Sequence, residues 1–331
     1  MSPTCPALPP NAYAEGMPIH GSMTFQRLVQ IIAWICFAVT AVLCIGLSSL
    51  HFRRYRSPNE QRNVFRIIIF PVVACLVSVV CIHTYHASNY IAPIASLYEA
   101  VALVALYLLY VHYVAPEPRS RADVFQRLIY TTKKGESKPG QGYSLLRSSW
   151  RVLFTYLVVY FILVIATEIT LAIGVYCETS NKPHFAHVWI QAFELIATIT
   201  ALVTIFRFQR TLKHHMSGRK ALPKLVIFKL FVIIVTVQRF VFSIIGGHVK
   251  GSDKITYSDV TIGLQSLLVC LEALVTQIAF FFCFSPKEFS GIGHQSDKEG
   301  VALGPLAALC HALNPKDLVV GLGQAYGLVE L

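Results

Sequence analysis

Seven mostly apolar stretches recur along the chain, at Leu28–Leu50, Ile67–Tyr85, Ile91–Val114, Val152–Val175, His187–Phe206, Leu225–Gly247 and Val260–Cys283. Each approaches the roughly 20 residues that a helix needs to cross about 30 Å of hydrocarbon. One such run could be a buried core helix; seven of them predict membrane spans. The polar residues between them are unevenly placed. Loops His51–Arg66, Ala115–Arg151 and Arg207–Lys224 carry five, eight and six Lys or Arg, against Arg27, Lys182, Lys250 and Lys254 in the alternate segments. Basic loops stay cytosolic, so the amino terminus is predicted outside and, after seven spans, the carboxyl terminus inside. The expected fold is an all-α polytopic membrane protein. Residues 1–27 form a short disordered outer arm, 28–284 the seven-helix domain, and 285–331 a cytosolic tail that is either flexible or interfacial.

Composition agrees. Of 331 residues, 55% are hydrophobic and 14% charged, too few to clothe a soluble body of this size, where about 25% is usual. The net charge of +11 sits in short loops with no aromatic-interleaved basic patch, so nucleic acid is not an expected partner. Six of nine cysteines (Cys36, Cys44, Cys75, Cys81, Cys270, Cys283) lie inside apolar runs, and no CxxC occurs. They read as small buried apolar residues. His83, His86, His184, His187 and His248 fall at the outer rim and six other histidines on the opposite side. Interface polarity is therefore the reading, with no metal or other cofactor expected.

The candidate chemistry is a layer of charge inside the membrane. Counted from the outer helix ends, Glu99, Glu168, Glu194 and Arg239 lie roughly 10–12 Å deep and Glu272 roughly 18 Å, at about 1.5 Å per residue. Such residues cost about 2.5–3.5 kcal/mol each on insertion and usually face protein or water. Each shares a face with small or polar neighbours: Ala92 and Ser96 with Glu99, Gln191 and Thr198 with Glu194, Thr236 and Ser243 with Arg239, Gln265 and Thr276 with Glu272. The functional reading is a polar cavity open to the outer side, for solute or proton-coupled binding. The structural reading is a set of interhelical hydrogen bonds from neutral carboxyls.

From the first cytosolic loop onward the sequence resembles a known family. His51-Phe-Arg-Arg-Tyr-Arg-Ser-Pro58-Asn-Glu-Gln61-Arg62, running into Arg66-Ile-Ile-Ile-Phe-Pro71, is similar to the organic solute transporter alpha subunits, which include transmembrane protein 184 and its fungal relatives. Tyr98-Glu99-Ala100, Leu222-Pro-Lys-Leu with Lys229 and Gln238, Cys270-Leu-Glu272, Ser285-Pro-Lys-Glu-Phe289 and His311-Ala-Leu-Asn-Pro315-Lys-Asp317 extend the likeness over roughly residues 24 to 320.

The resemblance implies facilitated transport of steroid-like or other amphipathic solutes, with a separate single-span accessory subunit in one branch; a homo-oligomer is the alternative. The cavity residues read from the chain are Tyr98, Glu99, Glu168, Glu194, Gln238, Arg239 and Glu272. Gln238 would bridge Glu99 and Glu272. The cytosolic-face motif is His51, Pro58, Gln61, Arg62 and Arg66, and Arg53, Arg54, Arg62 and Arg66 are expected to anchor the inner face against anionic lipid. The branch that carries organic anions has a cysteine-rich stretch after the third helix; Ala115–Arg151 has no Cys. No HExxH or GxSxG occurs, so no enzyme is expected. A scaffold or trafficking protein and a seven-helix receptor remain alternatives, and plasma membrane and endomembrane stay open as locations.

Overall fold

The computed structural model describes residues 5, 12–53, 55, 57–128, 140–177, 180, 182–246, 249, 251–289 and 305–330. Arg54, Lys133, Lys134, His248, Lys250 and Val301 lie outside them. The spans are α1 (Phe25–Phe52), α2 (Pro58–His83), α3 (Ser88–Val114), α5 (Gln141–Ala172), α6 (Ala186–Thr211), α7 (Ala221–Gly246) and α8 (Gln265–Cys283), the last entered through a π-helical turn at Asp259–Leu264. A short α4 (Arg121–Arg127) precedes α5, and the tail forms α9 (Pro305–Leu313) and α10 (Lys316–Ala325). Seven of these elements are long and apolar enough to cross a membrane.

Several helices outrun their apolar stretches. α2 begins nine residues before Ile67, with Pro58 in its first turn, where a missing N–H costs nothing. Ser57 N–H donates to the Gln61 side-chain oxygen at 3.0 Å, and the Gln61 amide donates to the His51 carbonyl at 3.1 Å. The polar first turns of α2 are thus held by protein, not by headgroups. Beyond that, α2 runs unbroken through Pro71.

The bundle has a centre. Along their apolar stretches α2 and α3 are 72% and 78% buried, while the other five spans are 28–33% buried. Two helices are sheathed by five whose outer faces carry Val42, Ile45, Phe161, Ile196, Val203, Val275 and Phe282 exposed. In water such surfaces would aggregate; in lipid they need no cover. Near the basic end Tyr107, Phe125, Trp150 and Phe208 pack as an aromatic cluster. The Arg121 guanidinium lies 5.2 Å from the Trp150 ring, which fastens α4 beneath the bundle.

Over residues 12–24 the arm is mostly exposed and is tied to the bundle by two backbone hydrogen bonds. Met17 N–H donates to the Asp253 carbonyl at 2.7 Å and Ser258 N–H to the Ala12 carbonyl at 3.3 Å. Cys5 and Cys177 form a disulfide at the same end, a pairing invisible in a census dominated by intramembrane thiols.

Over its described part the tail docks on the bundle. Arg66 grips Asp317 with both guanidinium nitrogens at 2.8 Å and the Asn314 carbonyl at 2.6 Å, while Arg62 lies 3.2 Å from Asp317. Arg62 and Arg66, expected to face anionic lipid, are both buried and spend their charge on this carboxylate of the tail. Tyr55 meets His311 at 3.0 Å. The Trp150 indole donates to the Gly321 carbonyl at 2.9 Å. Gly321 abuts Phe154 so closely that a Cβ would stand 2.2 Å from the ring.

Two outcomes test this docking. Gly321→Ala must push α10 off Phe154, at a cost typical of overpacking, about 1–3 kcal/mol. The expected signature is a lower melting temperature and faster hydrogen exchange in 307–325; unchanged exchange would contradict the docked tail. The second concerns pH. Burial alone would raise the Asp317 carboxyl, but hydrogen bonds and charge from Arg66, then the charge of Arg62, hold it below its ordinary range. Burial, then the charge of Arg62, holds His311 below its own. Both groups therefore stabilise docking above their ordinary values and lose that contribution on acidification, His311 first beneath about 6.5 and Asp317 beneath about 4. Exchange of 307–325, corrected for its intrinsic pH dependence, is expected to rise in that order. Asp317→Asn should release the tail already at pH 7, since stranding buried guanidinium charge costs about 3–5 kcal/mol.

Candidate functional site

Arg239 is the hub of a set of cavities at the end of the bundle away from the basic loops. Its guanidinium donates to the Ser96 hydroxyl of α3 at 2.8 Å. It lines three spaces that share walls. The largest, about 170 Å³, lies among α3, α5, α6, α7 and the turn before α8, with Ser96, Thr167, His187, Gln191 and Glu194 in its lining. The second, about 70 Å³, reaches Glu99, Ser78 and Gln265. The third, about 60 Å³, is walled by Tyr160, Glu194 and Thr198.

Helical spacing explains the convergence. On α3, Ser96 and Glu99 are three apart and share a face, as do Gln191, Glu194 and Thr198 on α6. Ala92, and Ala95 on the neighbouring row, keep that side of α3 low, which leaves room for a long guanidinium from α7. Glu99 is 4% exposed. Tyr160 and Thr198 hydroxyls meet at 2.5 Å and tie α5 to α6 at the cavity wall. His187 is buried and its Nδ1 has no protein partner. The space therefore offers one cation, two carboxyls, several hydroxyls and a spare imidazole nitrogen, enough to orient a polar head group or ordered water.

The expected five-charge layer is thus a three-charge site. Glu99, Glu194 and Arg239 come together; Glu168 and Glu272 line none of these spaces. Glu168 stands one position, about 100° of helix, beyond Thr167, and that rotation removes it. Glu272 lies deeper and is hydrogen-bonded by the Gln238 side chain from α7. Gln238 bridges to Glu272 alone, not to Glu99. Tyr98 turns away from the site as well. Its hydroxyl donates to the Arg66 carbonyl at 3.2 Å, and its ring stacks on Phe70.

At the basic end, His51 meets the Phe284 carbonyl at 2.8 Å, so the cytosolic-face motif joins α1 to the end of α8. Pro58 and Gln61 shape the start of α2, and Arg62 and Arg66 hold the tail.

Neutral polar residues were the ones sequence reasoning missed. Thr167, Tyr160 and Asn89 carry no charge to draw attention; their only signal was polarity inside an apolar run. Lys224 was quoted only as part of a motif. It is wholly buried, bonded to Glu288 at 2.5 Å and to the Tyr113 hydroxyl at 2.8 Å. Asp259, also buried, accepts from the Tyr85 hydroxyl at 2.9 Å at the head of the last span.

Residues 29–289 match the organic solute transporter Ostalpha family. Over 278 residues the chain is 25% identical to the vacuole membrane protein hfl11 of Schizosaccharomyces pombe, covering 78% of this chain and 62% of that one. Over 265 residues it is 22% identical to a transmembrane protein 184 homologue of Dictyostelium discoideum, covering 75% and 50%. The chain spans about half to three fifths of the length of these relatives. No solved structure matches. Since the match runs from the first turns of α1 to the segment after α8, this multi-pass membrane protein belongs to the organic solute transporter Ostalpha family.

Proposed function

We propose that this protein mediates facilitated passage of steroid-like or other amphipathic organic solutes, with the solute's polar end received by Arg239. The observation that carries the reading is the meeting of three cavities on one guanidinium, beside Glu99 and Glu194. A fixed cation in a low-dielectric cleft attracts an anionic or strongly dipolar head group. Two nearby carboxyls moderate that attraction, so the head can leave again. Family membership supports a role related to solute transport.

The far side of the path is closed in this state. Lys224–Glu288, Arg219–Glu60 at 3.3 Å and the His51–Phe284 contact bind the basic ends of α1, α2, α7 and α8 together. Passage would require these pairs to part, and buried pairs part only if water or solute replaces each partner. A single-span accessory subunit or a second copy of the chain are partners that would assist this step. The chemistry is binding and release, with no bond made or broken.

The test is uptake of radiolabelled steroid sulfate and sterol into vesicles holding this protein. Arg239→Gln is expected to lower saturable flux at least tenfold, and Glu99→Gln to change its concentration dependence. Glu168→Gln, outside the cavities, should leave it unchanged at equal abundance and melting temperature. Full flux in Arg239→Gln, or neither flux nor saturable probe binding by the wild type, would overturn the proposal.

A further inference from the structure

The connection between α6 and α7 carries charge that the fold does not consume. Residues 207–224 contain six Lys or Arg and no Asp or Glu. Arg219 is engaged by Glu60 and the Tyr113 ring, and Lys224 by Glu288. Arg210, Lys213 and Lys220 are exposed, and among the described residues none of the three is paired with a carboxylate. These three cations border one groove of about 420 Å³, whose remaining walls include Phe206, Leu222 and Pro223.

We propose that this groove binds an anionic phospholipid, with its phosphate held by Arg210, Lys213 and Lys220 and its acyl chains laid along Phe206 and Leu222. Two features select a lipid over a dissolved anion. First, the groove is amphipathic in the same sense as the bilayer interface. Its basic rim sits at the helix ends, and its apolar side continues into the exposed Leu222 and Val226 of a membrane-spanning helix. Second, the Lys229 ammonium lies 5.0 Å from the Phe206 ring, which adds positive potential just behind the apolar wall. Phosphate recognition by clustered Lys and Arg beside a membrane surface follows from ordinary headgroup electrostatics.

Lys220 is the position that makes this a groove and not a diffuse basic surface. It is the one non-glycine residue with a positive φ, 46°, among the described residues. Its ammonium reaches the Phe282 carbonyl of α8 at 3.4 Å. It also lines a second, larger groove of about 610 Å³ with Arg53, Leu50 and Phe281. A left-handed backbone is costly for a long side chain, yet here it sets a cation between two apolar channels.

The experiment uses the full chain in detergent micelles, titrated with dioleoyl phosphatidic acid and read by native mass spectrometry and thermal shift. Dioleoyl phosphatidylcholine and glycerol 3-phosphate are the parallel arms. Saturable retention of phosphatidic acid is expected, with neither phosphatidylcholine nor glycerol 3-phosphate matching it. Arg210→Gln, Lys213→Gln and Lys220→Asn should each weaken affinity about fivefold and the triple variant about a hundredfold, one increment per lost cation. Asparagine tolerates the left-handed backbone, so Lys220→Asn should keep or raise the melting temperature while losing lipid. Wild-type affinity in the triple variant would overturn the site. So would equal binding of glycerol 3-phosphate, or an equal loss in Arg147→Gln/Arg151→Gln, which removes charge elsewhere.

Discussion

A charge removed from water must be met by an opposite charge, by hydrogen bonds or by trapped water, and the interior of a helical membrane bundle offers few of each. The ion pairs of this protein answer that demand. At the basic end it is met by pairs: Lys224 with Glu288, Arg66 and Arg62 with Asp317, Arg219 with Glu60. Each pair joins segments distant in the chain, so satisfying the charges also fixes how spans, loops and tail meet. At the other end Arg239 has one hydroxyl hydrogen-bond partner where three cavities adjoin, beside Glu99 and Glu194.

The two ends therefore differ in kind. The basic end carries a buried aromatic layer of Tyr107, Tyr110, Phe208 and Trp150, with its grooves on the outside. The opposite end keeps space between α3, α6 and α7, lined with hydroxyls and amides. Helices separated by small residues and short polar side chains can shift without breaking a jigsaw of large ones, whereas a packed aromatic layer moves as a unit.

Termini take part in this division. The arm is stitched to the open end by Cys5–Cys177 and by backbone hydrogen bonds around Asp253 and Ser258. The tail is clamped to the closed end through Asp317 and Gly321. Neither follows from hydrophobicity. Ala12, Asn314 and Gly321 matter because of what lies opposite them.

Seven spans, their order and the segregation of basic loops were legible in the chain, since hydrocarbon thickness and the cost of exposed backbone leave little other use for seven such apolar runs in one chain. The presence of intramembrane charge at Glu99, Glu194 and Arg239 was legible for the same reason. Depth along an axis can be counted from residue numbers, so one slab was a natural expectation. Rotation and neighbour choice cannot be counted that way. Glu168 misses the cavities by one helical position, Glu272 is occupied by Gln238, and Arg62 and Arg66 turn from the lipid to a carboxylate some 250 residues away. Sequence alone set which segments enter the membrane, because that depends on each segment's own free energy of transfer. Only the tertiary structure decided which charges meet, because that depends on the angle each helix presents to the others.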